Sequence, residues 1–411
     1  MIEWSETHQA IRDAFRRFVE TEVQPHVEAL EHGDLPPYEI LRKMAATFGL
    51  GDMARMRFAS DLAKAERRQD GEGGERKKRE APSEELGNAA AMQIIPIMEM
   101  CRVSPGMVTA LGVSMGLTAG AIMAKGTRAQ KERWALPLLT LETIGAWAIT
   151  EPTSGSDAFG GMRATARRQD DGDYLLSGSK TFITNGPYAD TIVFICKLDE
   201  GNDPKERKVL SFVLDKGMPG LVQSKPLRKM GLHSSPTGEL FVEDVRVGKD
   251  RLLGETEDAP ARSGAKETFT AERTAVAAMA LGIVEQCQAL CLEYARTRVQ
   301  FGRPIGDFQL IQLKLAKMEV ARMNIQNLVF RQIELASWGR SMALAEASAC
   351  KLYSAQAAMD VCLEAVQLFG GNGYMAEYRV EQLCRDAKVL QIYGGTDEIQ
   401  ISQIARSLLS S

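Results

Sequence analysis

The residues best suited to chemistry fall in three short stretches. In "VLQIYGGTDEIQ", Val389 to Gln400, Gly394 and Gly395 stand between an apolar run and a helix start. Thr396 suits the N-cap, and Asp397 and Glu398 suit the first turn, where carboxylates meet the positive end of a helix. One glycine here permits a sharp turn or the close approach of a ligand to the backbone. Two raise the question of whether a side chain is missing that chemistry would use. "WAITEPTSGSDAFGG", Trp147 to Gly161, offers hydroxyls at Thr150, Thr153, Ser154 and Ser156. Its backbone N–H groups would suit a phosphate or pyrophosphate, although such a stretch alone is more often an ordinary Ser/Gly loop. It is not a G-x-G-x-x-G dinucleotide fingerprint, and no βαβ unit surrounds it. In "KETFTAERTAVAAMALG", Glu272 directly precedes Arg273 at the opening of a long helical pattern. Taken singly, Glu272 is a solvated first-turn glutamate favoured by the helix dipole. His8, His26, His32 and His233 are scattered without metal-ligand spacing, so no metal is expected. Seven cysteines are too sparse for a disulfide scaffold, and Cys287 and Cys291, on one helix face, read as core.

These stretches must be positioned by the elements between them. The chain of 411 residues is long enough for two or three packed units. Residues 1–143 read as helices, with apolar positions three and four apart in "AIRDAFRRFVETEV" and "YEILRKMAATFGLGDM". A charged loop is expected over about 60–84, centred on "ERRQDGEGGERKKRE", Glu66 to Glu80, which offers nothing to bury. Residues 144–248 change to short β-rich runs such as "TIVFICKL" and "KVLSFVLD", parted by Gly, Asp and Pro. After the linker "GETEDAPARSGA", residues 262–411 return to long helices apolar over wide faces, which usually bury against each other and against another subunit. Helix, sheet, helix makes this an α+β multidomain chain. A net charge of −4 gives no electrostatic reason to expect nucleic acid or an anionic membrane as partner. No run of 18 apolar residues is read as a membrane span. The N-terminus, amphipathic and charged with both signs, lacks a signal-peptide core, so a cytoplasmic location is expected.

Together with "TFITNG", "YARTRVQFGRPIGDFQ", "QLFGGNGY" and "RDAKVLQIYGGTDEIQ", the Trp147 stretch completes an ordered series that resembles the acyl-CoA dehydrogenase family of flavoproteins. The resemblance is close from about Trp134 to the end, extends over residues 1–55, and is poor between about 56 and 90. It implies an N-terminal helical domain, a central β-barrel or sandwich, and a C-terminal four-helix bundle. The implied cofactor is FAD, and the implied partners are an acyl-CoA substrate and electron-transfer flavoprotein, with a homotetramer built as a dimer of dimers. The implied reaction belongs to lipid metabolism (fatty acid beta-oxidation). A base takes the proton beside the thioester carbonyl while hydride leaves the next carbon for flavin N5, giving the trans-2-enoyl-CoA. A related flavin oxidase, a dehydrogenase of carrier-protein-bound acyl groups, or a non-enzymatic flavin-binding homologue are the alternatives.

Residue by residue, the resemblance puts Trp147, Ile149, Thr150 and Ser156 along the flavin ring and pyrophosphate, with Phe182 and Thr184 on the other side. Phe182 replaces a tryptophan common in relatives. Arg298, Gln300, Phe301 and Gln309, with Gln367, Gly370 and Gly371, match residues reaching the flavin of a neighbouring subunit. Thr396 and Glu398 match contacts to the adenosine diphosphate portion. Many relatives carry the catalytic Glu where this chain has Gly394. In relatives acting on isovaleryl-CoA or long-chain acyl-CoA, the base instead stands in an "E-R" pair matching Glu272 and Arg273. The resemblance therefore implies Glu272 as base, with Ser156, Arg273, Gly394 and Gly395 toward the substrate. Thr270 stands where relatives often have Asp, which weakens transfer of coenzyme A contacts in that turn.

Overall fold

A computed structural model describes residues 3–32, 35–69, 81–258 and 261–410 of the chain. Ser5 opens α1 (Glu6–Phe18) by accepting from the His8 N–H, and the helix turns Phe15 and Phe18 inward. After α2 (Tyr38–Thr47), α3 spans Leu50–Gln69. The charged loop expected from about residue 60 is thus helical as far as Gln69. High charge does not oppose a helix in which basic and acidic residues fall three or four apart, as Arg57 and Lys64 do about Asp61. The rest of that stretch, residues 70–80, lies outside the described residues. Ser83 then caps α4 (Glu84–Cys101), and α5 (Pro105–Leu111) follows. The buried Glu99 of α4 joins α1 through Arg12 Nε at 2.8 Å and Arg16 Nε at 3.0 Å.

The middle unit is one sheet of seven strands: β1 (Gly145–Ala148), β2 (Thr165–Arg168), β3 (Tyr174–Thr184), β4 (Thr191–Leu198), β5 (Val209–Asp215), β6 (Leu221–Gln223) and β7 (Thr237–Val247). The order is β1-β4-β2-β3-β7-β6, with β5 on the other edge of β4. Strand β4 is buried along its whole length, which explains its unbroken apolar run. Ile192, Phe194 and Cys196 enter the sheet's own core, while Val193 and Ile195 face Trp134 and Leu138 of the N-terminal unit. Strands β1 and β2 both run parallel to β4, β1 pairing at Thr191–Phe194 and β2 at Lys197–Leu198. The chain between them, the hydroxyl-rich stretch, is therefore held at both ends by one rigid strand.

The C-terminal unit consists of α6 (Ala261–Thr297), a hairpin of β8 (Val299–Gln300) and β9 (Arg303–Pro304), α7 (Gln309–Ser337), α8 (Leu344–Phe369), α9 (Val380–Lys388) and α10 (Asp397–Leu409). One apolar core runs from Phe15 and Met44 through Ile95 and Met98 to Val284, Cys362 and Leu390. The helical units are thus one packed body, with α6 at its centre. Among the described residues, two helical stretches, Pro105–Lys125 and Glu272–Thr297, are long and apolar enough to cross a membrane by length and composition, where no such run is read from the sequence. The second is mostly buried as the axis of this bundle.

Candidate active site

The diglycine turn and the start of α6 meet in space although more than a hundred residues separate them. Gly394 and Gly395 have φ of +63° and +87°, a region that favours glycine. A Cβ built on Gly394 would lie 3.3 Å from Cδ and 3.4 Å from Oε1 of Glu272. The carboxylate of Glu272 thus occupies the space into which a side chain at 394 would project. Burial pushes the Glu272 pKa up to about 7, against the opposing pull of the Arg273 and Lys351 charges.

The turn is pinned from below. Gln400 Nε2, fully buried on α10, donates to the Gly394 carbonyl at 3.0 Å and to the Gly395 carbonyl at 2.7 Å. Lys351 Nζ, buried on α8, donates to the same Gly395 carbonyl at 2.9 Å. Arg273 donates through Nη1 to Ser348 Oγ at 3.1 Å. Its Nε and the Oε1 of Gln400 are buried without a partner among the described residues, so a donor and an acceptor beside the turn are left unsatisfied. Tyr393 packs on the central core, and its hydroxyl donates to Met279 Sδ at 3.2 Å.

The second group of expected residues converges on β1 and β3. The Thr181 N–H donates to the Thr150 carbonyl at 2.9 Å, which sets Thr150 beside Phe182 and the end of β3 carrying Thr184. Phe182, at φ +57°, leaves 69% of its surface exposed, an aromatic face with no ring partner among the described residues. Trp147 is half-buried on β1, and Ser156 is exposed in the connection. The Ile149 side chain belongs to the core with Trp134 and Val193, so only its backbone can face a cofactor. Its carbonyl accepts from Lys180 Nζ at 3.0 Å. Lys180 also pairs with Glu151 at 2.9 Å, and Glu151 accepts from the N–H groups of Arg163 and Ala164 at 2.7 and 3.0 Å. This buried pair closes the hydroxyl-rich stretch into a loop.

The third group stands at the opposite end of the bundle. Tyr294 stacks on Phe369 with ring centroids 4.0 Å apart, which joins the ends of α6 and α8. Arg298, Gln300, Phe301, Gln309, Gln367, Gly370 and Gly371 are all exposed there, Phe301 at 94% on the tip of the β8–β9 turn. Glu272 and Thr297 are 25 residues apart on one continuous helix, hence separated by about 38 Å at a rise of about 1.5 Å per residue. These residues cannot reach Glu272 of their own chain. Thr396 caps α10, its hydroxyl accepting from the Ile399 N–H at 3.4 Å, and Glu398 stands exposed in the first turn.

Family models for the N-terminal, middle and C-terminal domains of acyl-CoA dehydrogenases match residues 5–54 with 82–142, 146–245 and 263–409. The chain belongs to the acyl-CoA dehydrogenase family. A short-chain-specific acyl-CoA dehydrogenase of Megasphaera elsdenii is 38% identical over 79% of this chain and 83% of its own. The CarC subunit of a caffeyl-CoA reductase–Etf complex from Acetobacterium woodii is 34% identical over 99% of both chains. The solved butyryl-CoA dehydrogenase of M. elsdenii superimposes with a TM-score of 0.84 at 32% identity over the whole of both chains. This is an FAD-dependent oxidoreductase acting on acyl-CoA thioesters. The residues present fit that cofactor: an open aromatic face at Phe182, a loop of hydroxyls and N–H groups, and the orphaned Gln400 and Arg273 atoms beside the diglycine turn.

Reading the sequence for motifs passes over Lys351, Gln400, Glu151 and Lys180. Lys351 does carry a signal, as the one charged residue in "SACKLYSAQAAM", a run otherwise fit for a helix core. Gln400 sits four residues after Thr396, the spacing at which a side chain on α10 lies over the cap. Lys180 in β3 falls at an inward position of the alternation, which only register discloses.

Proposed function

We propose that the chain oxidises a saturated acyl-CoA to its trans-2-enoyl thioester, with Glu272 as the base that takes the proton from the carbon next to the carbonyl. The observation that carries this reading is the approach of Glu272 Oε1 to within 3.4 Å of the missing Cβ of Gly394. A carboxylate delivered from α6 fills the place that the resemblance gives to the catalytic residue of many relatives.

An ordinary carboxylate is too weak a base for a carbon acid. Raised to about 7, Glu272 is both a stronger base once ionised and still substantially ionised at neutral pH. Arg273 and Lys351 sustain that ionised fraction. The diglycine turn, held by Gln400 and Lys351, lets its backbone approach the thioester, and one fixed donor to a developing oxyanion is worth about 3–4 kcal/mol. Bound FAD supplies the hydride acceptor at N5.

The exposed group at Arg298, Gln300, Phe301 and Gln367 supports completion of each site by a second copy of the chain, and so the dimer of dimers. A relative that is part of an Etf complex supports electron-transfer flavoprotein as the partner that reoxidises the enzyme. A cytoplasmic place in fatty acid beta-oxidation is part of the same proposal. Anaerobic titration of the FAD-loaded protein with acyl-CoA thioesters of varied length and branching should bleach the flavin. Rapid reoxidation by air would identify an oxidase instead. Glu272→Gln should retain flavin and thioester while reduction slows by about a hundredfold or more, the usual scale for a general base. Reduction at the original rate would remove Glu272 from that role.

A further inference from the structure

Lys351 lies on α8 with no exposed side-chain surface. Taking an ammonium out of water costs several kcal/mol unless hydrogen bonds and opposite charges compensate, and an apolar side chain could fill the space without that cost. The compensation converges on the active site. Gly395 O lies 2.9 Å from Nζ, and Asp397 Oδ1 lies at 3.4 Å, a weaker contact. The charged groups acting on Lys351 are Asp397 from α10 and Glu272 and Arg273 from α6. Gln400 secures the same Gly395 carbonyl at 2.7 Å, and Gln356 holds the other oxygen of Asp397 at 3.2 Å. One buried cation therefore touches the turn that must meet the thioester and acts electrostatically on the carboxylate beside it.

We propose that Lys351 is a positioning residue for proton abstraction, fixing the diglycine turn through the Gly395 carbonyl while its charge keeps the neighbouring Glu272 carboxylate ionised. The inference rests on Glu272 being the base. Arg273 and Lys351 both act on this carboxylate, and their tasks differ. Arg273 is turned toward Ser348 through Nη1, with its buried Nε unpaired among the described residues. Lys351 spends its hydrogen bonds on the turn, so its removal alters both the geometry and the charge at the site.

The test uses FAD-loaded protein and Lys351→Gln, which keeps a donor but removes the charge. The pH at which anaerobic flavin reduction reaches half its maximal rate should rise by about one unit or more, the scale for losing a nearby opposite charge. A readout independent of turnover is the thermal stability gained on Glu272→Gln as a function of pH. In the Lys351→Gln background that gain should increase and should go on growing to a higher pH. Should Lys351→Gln not yield folded protein, Lys351→Gln/Asp397→Asn compared with Asp397→Asn carries the same measurement without an unpaired buried carboxylate. An unchanged reduction profile together with an unchanged stability gain would overturn the proposal, whatever the loss of overall stability. Failure of Glu272 as base would be seen separately, as undiminished reduction in Glu272→Gln, while the stability measurement still reports whether the two residues are coupled.

Discussion

Replacing Glu272 by Gln should stabilise the protein by an amount that is absent below about pH 4 and grows as pH rises to about 7. Burial raises the Glu272 pKa from 4.5 to about 7. Below about pH 4 the carboxyl is protonated in both folded and unfolded chains, and the substitution removes no charge. Between 4.5 and about 7 the unfolded chain ionises first, so stability is lost as pH rises. Above about 7 the folded chain holds the charge at full cost. The difference of about 2.5 pH units corresponds to about 3 kcal/mol, an upper bound because water reaching the cleft screens part of it. Asp386, also raised to about 7 by burial, titrates in both proteins and cancels from the comparison. Thermal unfolding of FAD-saturated wild type and Glu272→Gln from about pH 5 to 8.5 is the assay. The melting-temperature difference should grow in favour of the variant by several degrees across that range. A difference that stays flat with pH would mean that Glu272 titrates as an ordinary carboxylate, and the argument for a tuned base would fail.

Three further outcomes follow from the geometry. Glu272→Ala/Gly394→Glu should recover part of the reduction lost in Glu272→Ala, because the shortened side chain on α6 vacates the space 3.3–3.4 Å from the new Cβ. Stopped-flow flavin reduction measures the recovery, limited by the roughly 1–2 kcal/mol that a side chain costs at φ +63°. Phe301→Ala should leave the folded chain intact, since Phe301 is 94% exposed, yet weaken FAD retention in the assembled protein, read by flavin content after gel filtration. Lys180→Met leaves Glu151 charged and buried without its partner and should cost about 3–5 kcal/mol, with FAD released at a lower temperature than in the wild type.

Fold and site were legible to different depths. The helices could be read from periodicity because their buried faces follow it, whereas β4 was legible as an unbroken apolar run, every second residue entering one core and the intervening ones another. The charged stretch after residue 60 misled as far as Gln69, since composition reports what cannot be buried and not what can still be helical. Glu272, Arg273 and the glycines could be proposed because they stand in recognisable sequence neighbourhoods, and the structure brings Glu272 beside Gly394. Lys351 and Gln400 could not be, because each acts on a turn brought to it only by the packing of α8 and α10. Ile149 shows the converse: the motif singles it out, but its side chain faces the core and only its backbone is left to meet a cofactor.

If Glu272 is the base, as proposed, the position of the base is a property of a point in space rather than of a place in the chain. Two backbone segments, the turn after α9 and the first part of α6, pass close enough that a carboxylate from either can reach the same volume, as the 3.3 Å approach of Glu272 to the vacant Cβ direction of Gly394 indicates. A carboxylate in both would put two like charges within a few ångströms and leave one of them protonated at neutral pH. Glycine at 394 avoids that conflict, and its positive φ lets the turn keep its shape without a side chain. The supports lie elsewhere, on Gln400 and Lys351, which bind carbonyls and are indifferent to the side chain at 394. On the proposed role of Glu272, separating the scaffold of the turn from the residue that does the chemistry would let the base come from α6 while the diglycine backbone stays where it is.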